Sequence, residues 1–194
     1  MNNTDLQKEQ RLAETLNSDF TRLEARVVRN RRVEAVLKSN DIIPSVLLFA
    51  KDKLGYVHFT HMSCVDWIEE GEFEVVYILW NPEEKINLLI KVRTDRENAV
   101  LPNIDYIWRQ ANTYEREIRE MYGIEFPGLV APKEFILEDW QDIPPMRRDF
   151  KTKEYVDDHF FNRPGREDAQ DVRETIANRS GEEIPEFAKK FSRK

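Results

Sequence analysis

Two glutamates, Glu115 and Glu117, lie close together in the run YEREIRE, and paired carboxylates can serve as general acid and general base. On a helix, however, residues two positions apart do not face each other, whereas helical spacing pairs Glu115 with Arg119 and Arg116 with Glu120. The run has no neighbouring histidine, phosphate-binding loop or cluster of oxyanion donors. We therefore interpret it as a lattice of ion pairs that faces solvent or a partner, and catalysis by the two glutamates is the alternative.

His58, His61 and Cys64 have the spacing H-x-x-H-x-x-C, and these ligand types suit zinc or copper. The surrounding residues favour a strand, in which side chains three positions apart point to opposite faces. His58 and Cys64 would then share one face while His61 points away. The pattern predicts two strand histidines and a buried free thiol rather than a metal site.

Two adjacent arginines, Arg147 and Arg148, precede Asp149 and Phe150 and follow the rigid pair Pro144–Pro145. Arginines on such an extended segment can bind carboxylates of a partner through two parallel hydrogen bonds each. An ordinary surface charge pair explains these residues equally well.

Hydrophobic spacing predicts an α+β fold in which these side chains are placed by an antiparallel sheet of about four to five strands with helices packed on one side. The predicted helices cover residues 5–17, 44–54, 102–108 and 112–121. The predicted β-like segments are 23–27 and 33–37, which form a hairpin, 56–61 and 65–68, which together precede the turn at 69–72, and then 73–80 and 86–93. The connections after residue 68 are short, which indicates an antiparallel meander. Gly123 follows the last helix, where a left-handed residue is expected.

The character of the chain changes after Phe126, so we predict an α+β domain over 1–126 and a long irregular C-terminal extension over 127–194. The extension has six prolines and no sustained apolar period, which is difficult to fit within a compact domain. Its apolar residues are large and widely spaced: Tyr155, Phe160, Phe161, Val172, Ile176, Phe187 and Phe191. This spacing favours a segment that wraps over partner chains and uses aromatic anchors. A disordered tail is the alternative.

The chain of 194 residues has 37 acidic and 30 basic residues, for a net charge of −7. Residues 151–194 carry ten of each sign, so the excess acidity belongs to residues 1–150, and nucleic-acid binding is not expected. With one cysteine in the chain, an iron–sulfur cluster or a zinc site that needs four cysteine ligands is excluded. The sequence shows neither a signal peptide nor an apolar run of the ~20 residues that span a bilayer. We expect a cytoplasmic protein whose redox cofactors, if any, lie in other chains.

Residues 108–126 read WRQANTYEREIREMYGIEF and resemble the signature of the 30 kDa subunit of respiratory complex I. In that family an Asn or Asp, an aromatic residue and Glu-Arg-Glu are followed by an acidic residue, an aromatic residue, Gly-Ile and Phe. Residues 144–150 resemble the closing motif of the family, Pro-hydrophobic-Arg-Arg/Lys-Asp-Phe/Tyr. The resemblance extends over about residues 5–150.

One segment departs from the quinone-linked members, which usually follow the glycine with His-Pro-Asp-Leu-Arg-Arg. Here residues 128–137 read GLVAPKEFIL, and residues 137–140 are similar to the Leu-Pro-Glu-Asp-Trp of the related subunit in membrane-bound, energy-converting [NiFe] hydrogenases. The departure favours a ferredoxin-linked hydrogenase-type complex over an NADH:quinone enzyme, which is the alternative.

The resemblance implies a non-catalytic scaffold subunit, without a cofactor, in the peripheral arm on the cytoplasmic face of a membrane complex that couples electron transfer to ion translocation. Its implied partners are a large hydrogenase-like subunit, a small iron–sulfur subunit and a ferredoxin-like two-cluster subunit, which would hold iron–sulfur clusters and, in the hydrogenases, a [NiFe] centre. A free-standing adaptor is the alternative of another class. The implied interface residues are Tyr114, Glu115, Arg116, Glu117, Tyr122, Gly123, Phe126, Trp140, Arg147, Arg148, Asp149 and Phe150.

Overall fold

The computed structural model describes residues 6–129 and 134–159. The chain divides into two compact units, Met1–Phe150 and Lys151–Lys194, so the boundary predicted after residue 126 falls inside the first unit. Within the described part of the second unit there is one helix, Thr152–His159. The predicted anchors Phe160, Phe161, Val172, Ile176, Phe187 and Phe191 lie outside the described residues.

In its described residues, 6–129 and 134–150, the first unit combines three helices and five strands. The helices are α1 (Gln7–Asp19), α2 (Ile43–Asp52) and α3 (Ala111–Tyr122), and the helix of the second unit is α4 (Thr152–His159). The strands are β1 (Leu23–Arg29), β2 (Arg32–Leu37), β3 (His58–Trp67), β4 (Glu72–Asn81) and β5 (Ile86–Asp95). A single 3₁₀ turn (Asn40–Ile42) precedes α2.

The strands form one sheet in the order β1-β2-β5-β4-β3. The β1–β2 hairpin and the β3–β4–β5 meander are antiparallel, as predicted. The central β2–β5 pair is parallel, so the sheet is mixed. The chain passes through α2, β3 and β4 before β5 pairs with β2, a connection long enough to bring two strands side by side in the same direction.

One face of the sheet carries the hydrophobic core. In β4 every second side chain is buried, from Phe73 through Tyr77 to Leu79, and the alternate side chains are only half-buried. The apolar sides of α1 and α2 join the same core, with Leu16 and Leu47 fully buried. The sequence therefore alternates at period two in the strands because only one face is covered by helices, which confirms the α+β prediction.

Two predicted elements differ from those observed. Residues 56–61 and 65–68 were predicted as two β-like segments, but β3 is continuous and has a β-bulge between Phe59 and His61. Residues 102–108 form turns rather than a helix, with the N–H groups of Ile107 and Trp108 both donating to the carbonyl of Ile104. The N–H of Ile104 is bound by a buried carboxylate, which is described below.

The C-terminus of α3 agrees with the sequence. Gly123 has φ of 83° and its N–H donates to the Arg119 carbonyl at 2.9 Å. A Cβ at this position would lie 3.2 Å from Cγ of Pro144. Glycine is therefore favoured here both by the left-handed backbone and by the close approach of the 144–150 segment.

Candidate functional site

Glu115, the first glutamate of the signature, is fully buried on the core-facing side of α3. Its Oε1 accepts a hydrogen bond from the N–H of Ile104 at 2.7 Å, and its Oε2 accepts one from Nδ2 of Asn103 at 2.6 Å. The predicted ion pair with Arg119 is wrong, because Arg119 pairs instead with Glu125 at 3.1 Å. Glu115 lies on the same helix face as the core residue Ile118, three positions on, so it points inward.

The environment of Glu115 favours its protonated form. Burial raises the pKa of Glu115 to about 7, and the nearby charge of Asp105 acts in the same direction, against the two hydrogen bonds. The hydroxyl of Tyr77 is also buried and has no hydrogen-bond partner among residues 6–129 and 134–159. Burial and the charge of Glu115 both raise the pKa of Tyr77. Because Glu115 has no exposed surface, it and Glu117 do not form an acid–base pair that a substrate could reach.

Glu120 connects α3 to the segment 134–137. Its carboxylate accepts hydrogen bonds from the backbone N–H groups of residues 135–137, the last two at 2.8 and 2.9 Å. Burial opposes ionisation, but these donors and the charge of Arg116 outweigh it and lower the pKa of Glu120. Arg116 binds the same segment by donating from Nη2 to the carbonyl of Glu134 at 2.8 Å. The two side chains therefore hold one loop against α3.

A buried ion-pair cluster holds the closing motif. Arg96 follows β5 and binds Asp66 of β3 through two hydrogen bonds of 2.9 and 3.1 Å, and its Nη2 lies 2.7 Å from Oδ1 of Asp149. The side chains of Arg96 and Asp66 are only 7% and 2% exposed. The backbone N–H of Arg148 also donates to Asp66, at 2.8 Å. Contacts with Arg96 hold the pKa of Asp149 at about 2.

The two adjacent arginines have different surroundings. Arg147 reaches Asp149 at 3.3 Å and Glu97 at 3.6 Å, and its guanidinium lies 5.8 Å from the centre of the Phe73 ring. Arg148 pairs with Glu69 at 2.7 Å, and these two side chains are 53% and 65% exposed. Of the two, only Arg148 presents its guanidinium at the surface.

The predicted aromatic anchors make contacts within the chain. Phe126 is buried in the core. Tyr122 packs edge-on against Phe73, with ring centroids 5.9 Å apart, and Phe150 packs against Trp140 at 5.6 Å. That these rings also touch a partner stays a prediction, and a large part of each is already covered here.

The outer side of α3 has a smaller set of candidate contacts. Tyr114 is half-buried and its hydroxyl donates to the carbonyl of Thr60 at 3.4 Å, while its ring meets that of His61 edge-on at 5.0 Å. Glu117 is half-buried and no hydrogen bond or ion pair of its carboxylate is found within the described ranges. Gly123 is exposed at the end of the helix. Together with Arg148 and Asp149, these residues are among the predicted interface positions that keep exposed surface.

The histidine–cysteine pattern does not form a metal site. Cys64 is buried, and burial together with the nearby Asp66 raises its pKa. His58 and His61 are both exposed, so the prediction that His58 shares a face with Cys64 is wrong. The bulge between Phe59 and His61 shifts the alternation of β3 by one residue and turns His58 outward. Within the ranges 6–129 and 134–159, no group of three metal-ligating side chains is close enough to hold an ion.

Sequence reasoning missed three residues on which these contacts depend: Asp66, Arg96 and Asn103. One signal was available, because Asp66 continues the two-residue alternation of the buried side chains Met62 and Cys64. A carboxylate in phase with a core stripe needs a buried partner. The identity of that partner, thirty residues along the chain, was not apparent from spacing.

Comparison with known proteins identifies the family. Residues 36–156 match the family described as respiratory-chain NADH dehydrogenase, 30 kDa subunit. The C-type subunit of NADH-quinone oxidoreductase from Moorella thermoacetica is 29% identical over 121 residues, which cover 62% of this chain and 82% of the relative. The second C/D-type subunit of the same enzyme from Aquifex aeolicus is 32% identical over 113 residues, 58% of this chain and 19% of that much longer protein.

A solved structure agrees with this assignment. One chain of the membrane-bound sulfane sulfur reductase, an archaeal respiratory membrane complex, superposes with a TM-score of 0.69 and 26% identity over 82% of this chain and 98% of that chain. In the part of this chain that the structure describes, no helix is long and apolar enough to cross a membrane. The match over residues 36–156, which is more than half of the sequence, shows that this chain belongs to the 30 kDa subunit family of the respiratory-chain NADH dehydrogenase.

Proposed function

We propose that this chain is a non-catalytic scaffold subunit, without a cofactor of its own, in the peripheral arm of a complex I-like membrane-bound oxidoreductase. One observation carries the proposal: charged residues from both family motifs bind other segments of the same chain. Glu115 and Glu120 fix two loops against α3, and Asp149 joins the buried cluster around Arg96. These residues maintain the shape of a surface and do not line a reaction site.

A scaffold contributes to electron transfer through distance. Transfer between clusters falls steeply as they move apart, so a rigid protein without cofactors can maintain the rate by holding cluster-bearing chains in register. We infer that the partners are the large hydrogenase-like subunit, the small iron–sulfur subunit and the ferredoxin-like two-cluster subunit. The Aquifex aeolicus relative has both designations, C and D, for one polypeptide, which supports a D-type subunit as the immediate neighbour.

Two sets of observations bear on the enzyme subtype, and they favour different enzymes. The segment 128–137 lacks the His, Asp and Arg pair of the quinone-linked members, and the superposed archaeal chain belongs to a sulfane sulfur reductase complex. These favour a ferredoxin-linked, hydrogenase-type complex. The names of the curated relatives favour the second candidate, an NADH:quinone oxidoreductase. In both cases the chain is located on the cytoplasmic side of the membrane as a peripheral part of a complex that translocates ions.

The test is purification of the tagged full-length chain from native membranes, followed by metal analysis of what it retains. We expect partner chains with iron–sulfur clusters, and nickel in addition if the complex is of the hydrogenase type. Iron without nickel would exclude the [NiFe] hydrogenase type and leave the NADH:quinone alternative. Recovery of the chain with metal-free partners or alone would refute the scaffold proposal and favour the free-standing adaptor.

Arg148→Glu is expected to reduce this recovery of partners several-fold without unfolding the chain. The exposed guanidinium is available to a partner carboxylate, whereas the pair with Glu69 is accessible to solvent and contributes little to the stability of the chain. The backbone N–H that binds Asp66 is unaffected by the substitution. Recovery is measured by quantitative blotting of the purified complex over a series of salt concentrations.

The matched control is Lys53→Glu, which reverses an exposed cation just after α2. Its recovery should equal that of the wild type. Normal assembly of Arg148→Glu with loss of turnover would contradict the interface role and require a catalytic one.

A further inference from the structure

Four cations are grouped at one end of the sheet. Arg29, Arg31 and Arg32 surround the β1–β2 turn, and Lys85 lies in the β4–β5 turn. The two turns are neighbours because β2 and β5 run parallel: Arg32 lies opposite Asn87, whose N–H donates to the carbonyl of Arg31 at 2.9 Å. We call these four residues the basic tip.

The basic tip is not neutralised by its own chain. Among residues 6–129 and 134–159, none of the four side chains forms an ion pair or hydrogen bond. Arginines elsewhere do pair with carboxylates: Arg22 with Asp41, Arg26 with Glu34, Arg93 with Glu72 and Arg119 with Glu125.

The nearby carboxylates leave the tip positive. Glu9 is buried and accepts the backbone N–H of Arg31 at 2.7 Å, and Glu84 pairs with Lys8 at 2.7 Å. Glu83 is exposed in the same turn as Lys85 and balances one of the four charges. An anion that approaches this end therefore meets a net positive surface on a chain whose overall charge is −7.

The arrangement is unfavourable for the isolated chain. Arg29 and Arg32 are direct cross-strand partners, and like charges in that position destabilise a sheet. Arg31 and Lys85 both have φ of 59°, a left-handed conformation that glycine or asparagine adopts at lower cost. The backbone of Arg31 does serve the fold, since its N–H binds Glu9 and its carbonyl accepts the N–H of Asn87. Neither the cross-strand repulsion nor a cationic side chain at a left-handed position does, so the cations require an explanation outside the chain.

We propose that the basic tip binds an acidic surface of a partner protein chain within the complex. The inference rests on the proposed function, because it assumes assembly with other subunits. Guanidinium groups recognise carboxylates through paired hydrogen bonds, and the exposed Val28 beside them supplies an apolar contact. Since an acidic partner is repelled by the rest of the chain, the tip also orients it.

A lipid surface fits these observations less well. Polybasic segments that bind anionic lipid gather about four to eight cations next to the bilayer, whereas here Glu83 lies among four and the remaining chain is acidic. A partner protein can place carboxylates opposite the individual cations of the basic tip and avoid placing them opposite Glu83.

The test uses the double variant Arg29→Gln with Arg32→Gln in the full-length tagged chain. Removing the cross-strand repulsion should leave the melting temperature of the isolated chain equal to or above that of the wild type. Retention of the metal-bearing partners at low salt should nevertheless fall about tenfold, and the difference from the wild type should shrink as salt is raised. The control is Lys38→Gln with Lys53→Gln, two exposed cations without ion pairs in the described residues and outside the tip, which should retain partners normally.

Each other outcome overturns the inference. If the wild type retains partners and the Arg29/Arg32 variant retains them equally, the proposed function stands and the tip is not an interface. If the wild type retains no metal-bearing partner, the proposed function fails and the inference fails with it. Binding to vesicles of phosphatidylcholine and phosphatidylglycerol that the variant abolishes would assign the tip to lipid. Self-association that the variant abolishes in sedimentation would assign it to a second copy of this chain.

Discussion

Replacing Arg96 by alanine is expected to lower the free energy of unfolding by about 3–5 kcal/mol. The guanidinium is the cation between Asp66 and Asp149, and the carboxylate of Asp66 is almost inaccessible to water. Its removal leaves Asp66 as a buried negative charge whose remaining hydrogen bond is from the N–H of Arg148. An uncompensated buried charge costs much more than the net contribution of the pair itself.

The measurement is urea unfolding of the full-length chain, followed by tryptophan fluorescence. Arg93→Ala is the matched control, because Arg93 lies on β5 three residues earlier and pairs with Glu70, Glu72 and Glu74 at the surface. We expect a loss of at most about 1 kcal/mol in the control. Equal losses in the two variants would show that burial of the cluster does not determine its contribution.

A second substitution separates charge from packing. Adding Asp66→Asn to Arg96→Ala removes the uncompensated charge, while the side-chain oxygen of asparagine can still accept the N–H of Arg148. The double variant should therefore be more stable than Arg96→Ala alone. A further loss of stability on adding Asp66→Asn would indicate that lost packing, rather than the isolated carboxylate, destabilises the single variant.

Local patterns in the sequence predicted most of the fold. The two-residue alternation of β4 and β5 identified both strands, and the helix stop at Gly123 was confirmed by its left-handed backbone. These features depend on neighbours within a few residues, so spacing and turn chemistry are sufficient. The parallel pairing of β2 with β5 was not predicted, because it joins strands that are separated by about fifty residues and depends on where α2 packs.

The sequence identified the candidate residues, but it did not predict which residues they contact. Helical spacing placed Glu115 beside Arg119, yet the core side of α3 includes position 115, and a distant loop supplies its hydrogen bonds. Arg148 was expected either to bind a partner carboxylate or to form an ordinary surface charge pair. It pairs with Glu69, and its backbone N–H also binds a carboxylate 82 residues earlier in the chain. Contacts over such separations follow from tertiary packing, which the spacing within one segment does not contain.

These contacts give both motifs a structural reason for their specific residue types. Each contact needs a carboxylate at one motif position and a backbone segment whose N–H groups can reach it. Substitution of Glu120, for example, would leave the N–H groups of residues 135–137 without their acceptor. A family whose members must present the same surface to neighbouring subunits would be constrained at such positions as strongly as an enzyme is at its active site.

The stability of the wild type is expected to fall as pH rises from about 5 to 8, by up to about 3 kcal/mol, because Glu115 must ionise in a buried site. Its pKa is about 7 in the folded chain against 4.5 ordinarily, so the folded state binds this proton more tightly than the unfolded state. The contribution is therefore fully present below pH 4.5 and is lost as pH rises through 7. Asp149 has a lowered pKa and loses its contribution only in stronger acid.

Glu115→Gln should remove this pH dependence. Glutamine can accept the N–H of Ile104 through its side-chain oxygen, and the amide of Asn103 can rotate to accept a hydrogen bond from the new NH₂ group. The variant should be at least as stable as the wild type at about pH 8. The difference in unfolding free energy between variant and wild type, measured in urea, should be less favourable to the variant at about pH 5 than at about pH 8. Glu117→Gln is the control on the same helix and should keep the wild-type slope. A slope that survives in Glu115→Gln would mean that another group titrates, and that Glu115 is ionised in the folded chain throughout this range.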